Sequence, residues 1–337
     1  MWLRTFVSPV SKRALGVAAL AATLSACASV PMLAGRQPNI SSEPSFEPRD
    51  QRPVRWALVL SSGTVRGLAH IGVLKALERE GLRPDLIVGT SAGALVGVLA
   101  ASGLTADQMR ELAWDIHKDL FVDWTVPRLG MVSGRSIHDF VDAHVKVHRI
   151  EEFPVMFAAV SVEAEHGCLH AFNRGDPGLA VQASSTVPVL ITPVQIGGRR
   201  YLDGALASPL PVRLARALGA ERVVAVDVTY DPKDSGFSNI VGAFWRTSLV
   251  MRWALTVSEA VEADVLIAPR LPHESEVRVS NREALIDAGE RAAAQALPAI
   301  RTLLQAQPTP ARDTPHPALL ATLCADTAAR LKKEALP

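Results

Sequence analysis

Neither charge sign dominates this chain: among 337 residues, 35 Lys+Arg stand against 34 Asp+Glu, a formal net charge of +1. A nucleic-acid binder ordinarily carries a clear basic excess, so that class is set aside. Aromatic residues are scarce at 5%, which also argues against base-stacking platforms. Cysteine is scarcer still. Cys27, Cys168 and Cys324 are too few and too scattered for a disulfide framework or a zinc cluster, and no metal or other cofactor is expected. The P-loop ending Gly-Lys-[Ser/Thr] is missing and the Rossmann glycine spacing is not met, which weakens any nucleotide-binding reading.

What is there is ample apolar material, 48% of the residues, enough for a sizeable core in one large α/β domain or two small ones. The first residues form an address label rather than a fold. Arg4, Lys12 and Arg13 precede an apolar run from Ala14 to Leu24, too short to span a membrane comfortably. It ends in Leu24-Ser25-Ala26-Cys27, which resembles the lipobox of bacterial lipoproteins. That resemblance implies a signal peptide over 1–26 and a diacylglyceryl group on Cys27. The alternative is an ordinary secretory signal cut near Ala26 or Ala28. Ser29 stands where an aspartate typically retains such proteins in the inner membrane, so the resemblance favours the outer membrane, facing the periplasm. Residues 27–53 then read as a flexible tether of Pro, Ser, Gln, Arg and Glu.

Order is expected from Val54. A buried strand over Val54–Leu60 precedes a small-residue loop, Ser61 to Gly67, and a helix over Leu68–Glu80 with Gly81 as its stop. A second strand, Asp85–Val88, turns tightly through Gly89-Thr90-Ser91 into a helix over Ala92–Ala101. Strand, helix, strand, helix with short links is the grammar of a parallel α/β sheet. Further strands are expected at Val155–Val162, Cys168–Phe172, Arg199–Leu202, Arg222–Val228 and Val265–Ile267. Helices are expected at Ala106–Asp119, Ser136–Val145, Pro211–Leu218, Ile240–Ala263 and Arg282–Leu304. The helix carrying Trp245 and Trp253 is expected to pack in the core, with a membrane-facing amphipathic helix as the alternative. One domain over 54–305 is the simplest division, with a Pro-rich tail over 306–337.

Three segments carry chemistry. Gly89-Thr90-Ser91-Ala92-Gly93 is G-x-S-x-G between a strand and a helix, a context that lifts the serine hydroxyl above the sheet edge. Glycines beside the serine let strand and helix pass closely, and the helix N-terminus favours developing negative charge. Ser62-Gly63-Thr64-Val65-Arg66-Gly67 is a small-residue loop of the kind that exposes backbone N–H groups to an anion. Tyr201-Leu202-Asp203-Gly204-Ala205 ends a short strand on a carboxylate; alone, it reads as a surface turn.

Together and in this order, these segments resemble the patatin-like phospholipase family, whose motifs are G-G-G-x-R-G, G-x-S-x-G and D-G-[AG]. Leu68-Ala69-His70-Ile71-Gly72, Ala183-Ser184-Ser185 with Val187-Pro188, Ser208-Pro209-Leu210-Pro211-Val212 and Ala263 to Pro269 extend the match. The resemblance implies a three-layer α/β fold with a mainly parallel central sheet and a Ser–Asp dyad without histidine. Ser91 is then the nucleophile, Asp203 its base, Gly89 and Gly93 the flanks of the elbow, and residues 62–67 the oxyanion loop. It implies phospholipid or lysophospholipid esters as substrates, met at a membrane through the lipid on Cys27. Such a base needs a raised pKa, hence partial desolvation. A triad through His273 is the competing arrangement. His70 is expected to pack at the helix start. Ser62 and Thr64 replace family glycines, and a β-branched residue at left-handed φ costs about 1–2 kcal/mol. A catalytically weak or inactive lipid- or partner-binding lipoprotein on the same fold is therefore the alternative.

Overall fold

The computed structural model describes residues 43–46, 52–113, 130–231, 240–271 and 281–307. Cys27, the expected signal peptide, most of the tether, His273 and the tail beyond residue 307 lie outside these, as does the end of the helix expected over Ala106–Asp119. The first half runs β1 (Trp56–Leu60), α1 (Leu68–Arg79), β2 (Leu86–Thr90), α2 (Ala92–Ala101), α3 (Ala106–Leu112), β3 (Gly130–Val132), α4 (Arg135–His144), β4 (Met156–Glu163) and β5 (Cys168–Phe172). The second runs α5 (Pro177–Ser184), β6 (Val189–Ile191), β7 (Val194–Ile196), β8 (Arg199–Asp203), α6 (Val212–Ala217), β9 (Arg222–Val226), α7 (Ile240–Ala260), β10 (Val265–Ile267) and α8 (Arg282–Gln305).

Strands whose Val, Leu, Ile and Ala lack polar alternation must be covered on both faces. Every residue of β1, β2, β4 and β9 is buried accordingly. The main sheet follows the path β10-β9-β1-β2-β4-β8-β7, with β5 also on β4. From β10 to β4 all neighbours are parallel; β4–β5, β4–β8 and β7–β8 are antiparallel. One face packs Ala57, Val59, Ala158 and Val223 against Val212 and Leu214 of α6. The other carries α2, whose Gly97 lies against Ile87, Phe157 and Leu60. Helix, sheet and helix make three layers, as expected for an α/β fold. In the helical layer α1 and α8 meet backbone to backbone: a Cβ on Gly72 would lie 1.8 Å from the Ile286 carbonyl oxygen.

The expected elements are present with ends shifted by a few residues. Three short strands, β3, β6 and β7, and helix α5 had no counterpart in the expectation. β3 and β6 form a separate two-stranded sheet; three residues are too few for any periodic signal. α5 is masked in sequence because its Pro177 reads as a breaker, yet it occupies the first turn, where its missing N–H is harmless. Asp176 caps that helix by accepting from the Leu179 amide at 2.9 Å. Cys168 is disulfide-bonded; the other cysteines, Cys27 and Cys324, lie outside the described residues. α7 departs from its core-packing expectation, since Val250, Met251, Trp253 and Val257 are exposed; the side chain of Trp245 is outside the described set.

Candidate active site

Strand registers bring distant residues to one point. β4 pairs with β2 from Met156 to Val160, where Thr90 lies opposite Val160. It pairs with β5 from Ala159 to Glu163 and with β8 from Ser161 to Glu163, where Asp203 lies opposite Ser161. Because β5 holds one edge of β4, β2 and β8 must share the other. They approach it from opposite directions and their ends meet between Val160 and Ser161. Ser91 follows the end of β2; Asp203 is the end of β8. Ser91 Oγ donates to Asp203 Oδ2 at 2.8 Å, with both residues buried.

Ser91 sits at φ 55°, ψ −119°, a conformation that costs a non-glycine residue of the order of 1–3 kcal/mol. Its surroundings hold it there. A Cβ on Gly89 would lie 2.4 Å from the Gly93 oxygen, and one on Gly93 only 2.2 Å from the Leu60 oxygen. Neither glycine has positive φ; both are demanded by close passage of backbone, not by a turn dihedral. The Ser91 amide donates to Ser184 Oγ at 2.9 Å, so the C-terminal end of α5 braces the elbow.

Asp203 Oδ1 accepts from the Ala205 amide at 2.8 Å, leaving Oδ2 for the serine. Burial pushes the carboxyl above its ordinary value, opposed by the Ala205 amide, by the positive charge of Arg252 on α7 and by the Ser91 hydroxyl. A carboxylate so placed is a better base than a solvated one. Gly204 must be glycine because a Cβ would lie 2.3 Å from the Val160 oxygen.

The loop between β1 and α1 borders this pair. The Ser62 amide is taken by the Pro209 carbonyl at 2.8 Å, whereas the Gly63 and Thr64 amides donate to no acceptor among the described residues. Thr64 stands at φ 50° and Ser62 does not share that strain. The Thr64 hydroxyl donates to the Gly63 carbonyl at 2.7 Å and lies 3.3 Å from the Tyr230 hydroxyl. Val65 and Arg66 complete a single 3-10 turn (Thr64–Gly67). Arg66 is buried, its guanidinium 4.6 Å from the centre of the Tyr230 ring, a cation–π contact. Gly67 closes on the elbow, since a Cβ there would lie 2.6 Å from the Ala92 Cβ. The cleft beside the loop is lined by Ser62, Gly63, Thr229, Tyr230, Leu249 and Arg252.

His70 is fully buried with Nε2 2.9 Å from the Ser61 carbonyl oxygen, and burial lowers its pKa to about 4. It is a neutral packing group at the start of α1, as expected. Among the described residues no histidine bonds Ser91 or Asp203; His273 lies outside them. Sequence reasoning missed Ser184 as the elbow brace, Tyr230 behind the loop and Arg252 beside Asp203. Ser184 lies in a segment already singled out; Tyr230 and Arg252 carry no local motif.

Residues 58–216 match the family model for patatin-like phospholipase. This match, over a little under half of the chain, identifies that segment as a patatin-like phospholipase domain. Patatin-like phospholipase domain-containing protein 6 of Homo sapiens is 30% identical over 199 residues, covering 56% of this chain and 14% of that protein. An uncharacterized NTE family protein of Mycobacterium tuberculosis is 33% identical over 177 residues, covering 52% of this chain and 49% of that one. Lysophospholipase NTE1 of Coccidioides immitis is 31% identical over 213 residues, covering 58% and 13%. The chain thus spans half the length or less of these relatives. Among solved structures, VipD from Legionella pneumophila aligns with a TM-score of 0.47 at 13% identity, over 80% of this chain and 72% of that one. The patatin-like match contains Ser91, Asp203 and the whole loop 62–67, and stops within α6.

Proposed function

We propose that this chain is a serine-dependent lipid acyl hydrolase that cleaves carboxylic esters of phospholipids or lysophospholipids. The 2.8 Å bond from Ser91 Oγ to a buried Asp203 carries the reading. As Oγ attacks the ester carbonyl, Asp203 takes its proton, and the Gly63 and Thr64 amides face the developing oxyanion. Collapse releases the alcohol or lysolipid, which leaves with that proton. Asp203 then takes a proton from water, whose hydroxide attacks the acyl-serine; Ser91 is regenerated and a fatty acid departs. The family's relatives named as phospholipases support the substrate class.

Removing either dyad member tests it. Ser91→Ala and Asp203→Asn should each lower turnover of a short-chain p-nitrophenyl ester by roughly 10⁴-fold or more while leaving the fold intact. Turnover in the native chain should rise with pH along a limb displaced above the ordinary carboxylate value, because Asp203 must be ionised to act. Undiminished hydrolysis by either variant defeats the reading. The strained Thr64 favours a second one, a lipid-binding protein with little turnover. A fluorophosphonate that labels Ser91 decides for the enzyme; a folded, unlabelled chain decides for the binder.

The lipobox-like Leu24-Ser25-Ala26-Cys27 supports a further part of the proposal: a diacylglyceryl anchor on Cys27 holds the domain at the periplasmic face of the outer membrane. Incorporation of labelled fatty acid that persists in Cys27→Ser would overturn it.

A further inference from the structure

A short buried segment outside the dyad holds both halves of the site. The Ser208 carbonyl accepts from Thr90 Oγ1 at 2.9 Å, one residue before the nucleophile. The next carbonyl, of Pro209, accepts from the Ser62 amide of the oxyanion loop at 2.8 Å. The same segment follows Asp203 by five residues and is folded back on it, the Ser208 amide donating to the Gly204 carbonyl at 2.9 Å. Nucleophile strand, oxyanion loop and base are thus all referred to Ser208-Pro209.

That segment is clamped in turn from α7. Ser208 Oγ donates to Glu259 Oε1 at 2.5 Å, and the Arg213 amide donates to Oε2 at 3.2 Å. Glu259 and Ser208 are 4% and 3% exposed, so the carboxylate has few other partners to turn to. The proposed mechanism uses neither side chain.

We infer that Glu259 is a positioning residue: its bond to Ser208 sets the Ser208-Pro209 segment and, through it, the spacing of Ser91 and the Gly63–Thr64 amides. The inference rests on the acyl-hydrolase reading. The bond is tightest when the carboxylate is charged, because charge-assisted hydrogen bonds are about twice as strong as neutral ones. Charging it has an opposite effect on the fold. Burial raises the Glu259 pKa from 4.5 to about 7, against the Ser208 hydroxyl, the Arg213 amide and the Arg213 charge; Glu262 adds to the rise. The turn beneath it, Gly204–Leu206, contributes no charge, Arg216 of α6 is engaged by Asp264, and Arg252, two turns back on α7, acts on Asp203. A group raised in this way costs stability progressively as pH climbs above 4.5, and the cost is complete above about 7.

Glu259→Gln keeps the shape and one donor–acceptor pair at each end but cannot ionise. Relative to the native chain it should gain thermal stability between pH 5 and pH 8 while losing turnover. At pH 8, kcat on a neutral short-chain ester should fall roughly three- to tenfold with KM unchanged, and at pH 5 less than twofold. Ser208→Ala, which removes the bond at every pH, should cost roughly 10- to 100-fold in kcat at both. Stability and turnover moving in opposite directions distinguish positioning from mere support. Native kcat at pH 8 in Glu259→Gln, or lower stability together with lower kcat, overturns the inference and leaves the acyl-hydrolase reading standing. A native chain with no turnover sinks both.

Discussion

Ser91 and Thr64 carry nearly the same backbone strain, φ 55° and φ 50°, but they are held by different means. Around Ser91 the restraint is mainly backbone against backbone, with the Ser184 hydroxyl added on its amide: Gly89 and Gly93 leave no room for a methyl group, and the strand, elbow and helix lock as one unit. Around Thr64 the restraint comes from side chains, through the Gly63 carbonyl, the Tyr230 hydroxyl and the Arg66–Tyr230 stack. A position braced by backbone contacts tolerates no change in its neighbours. One braced by side chains tolerates exchange provided its partners change with it. The lost loop glycines therefore say little about lost chemistry, because a hydroxyl supplies part of what glycine's freedom would have given.

The largest effect expected from this contrast is at Gly93. An alanine methyl there would lie 2.2 Å from the Leu60 oxygen, and Gly93→Ala should cost about 3 kcal/mol or more of stability, measurable as a fall in the urea midpoint. An unchanged midpoint would break the contrast at once. Thr64→Gly should do much less. Relief of about 1–2 kcal/mol of strain is offset by the greater unfolded-state freedom of glycine and by the lost hydroxyl. The net change should stay within about 1 kcal/mol, with fluorophosphonate labelling of Ser91 no slower than in the native chain. A hundredfold slower rate would mean that the threonine itself serves the oxyanion. Tyr230→Phe sharpens the picture further. In the native background it should cost roughly 0.5–1.5 kcal/mol; combined with Thr64→Gly it should cost less, since the Thr64 hydroxyl it meets is gone. Strict additivity in that double-mutant cycle would remove Tyr230 from the brace.

Much of this site was legible in the chain because its rules are local. G-x-S-x-G between an apolar strand and a helix, and Asp-Gly-Ala after a strand, each carry their own geometric reason, and the structure places them as a pair. The central parallel strands announced themselves as unbroken apolar runs. What stayed hidden depends on pairing at a distance. β6 and β7 are three residues each and have meaning only through their partners. Ser184 contacts Ser91 across 93 positions, and Glu259 reaches Ser208 across 51; the segment holding Ser184 stands out in the sequence but not its partner, and nothing near Glu259 signals its role. The α7 stripe left two readings open for a related reason: apolar residues on a helix name a face, but only packing decides whether that face turns inward.

One strand acts as the gauge for the whole centre. The hydrogen-bonded Ser91 and Asp203 oxygens belong to residues 112 positions apart, yet their separation is decided by two adjacent pairings on β4, Thr90 with Val160 and Asp203 with Ser161. A slip of one residue in either would move an oxygen by about 3.3 Å and turn its side chain to the opposite face. Chain inserted or removed in the intervening loops leaves those pairings untouched, so such a scaffold can change length and surface freely while its chemistry stays in place.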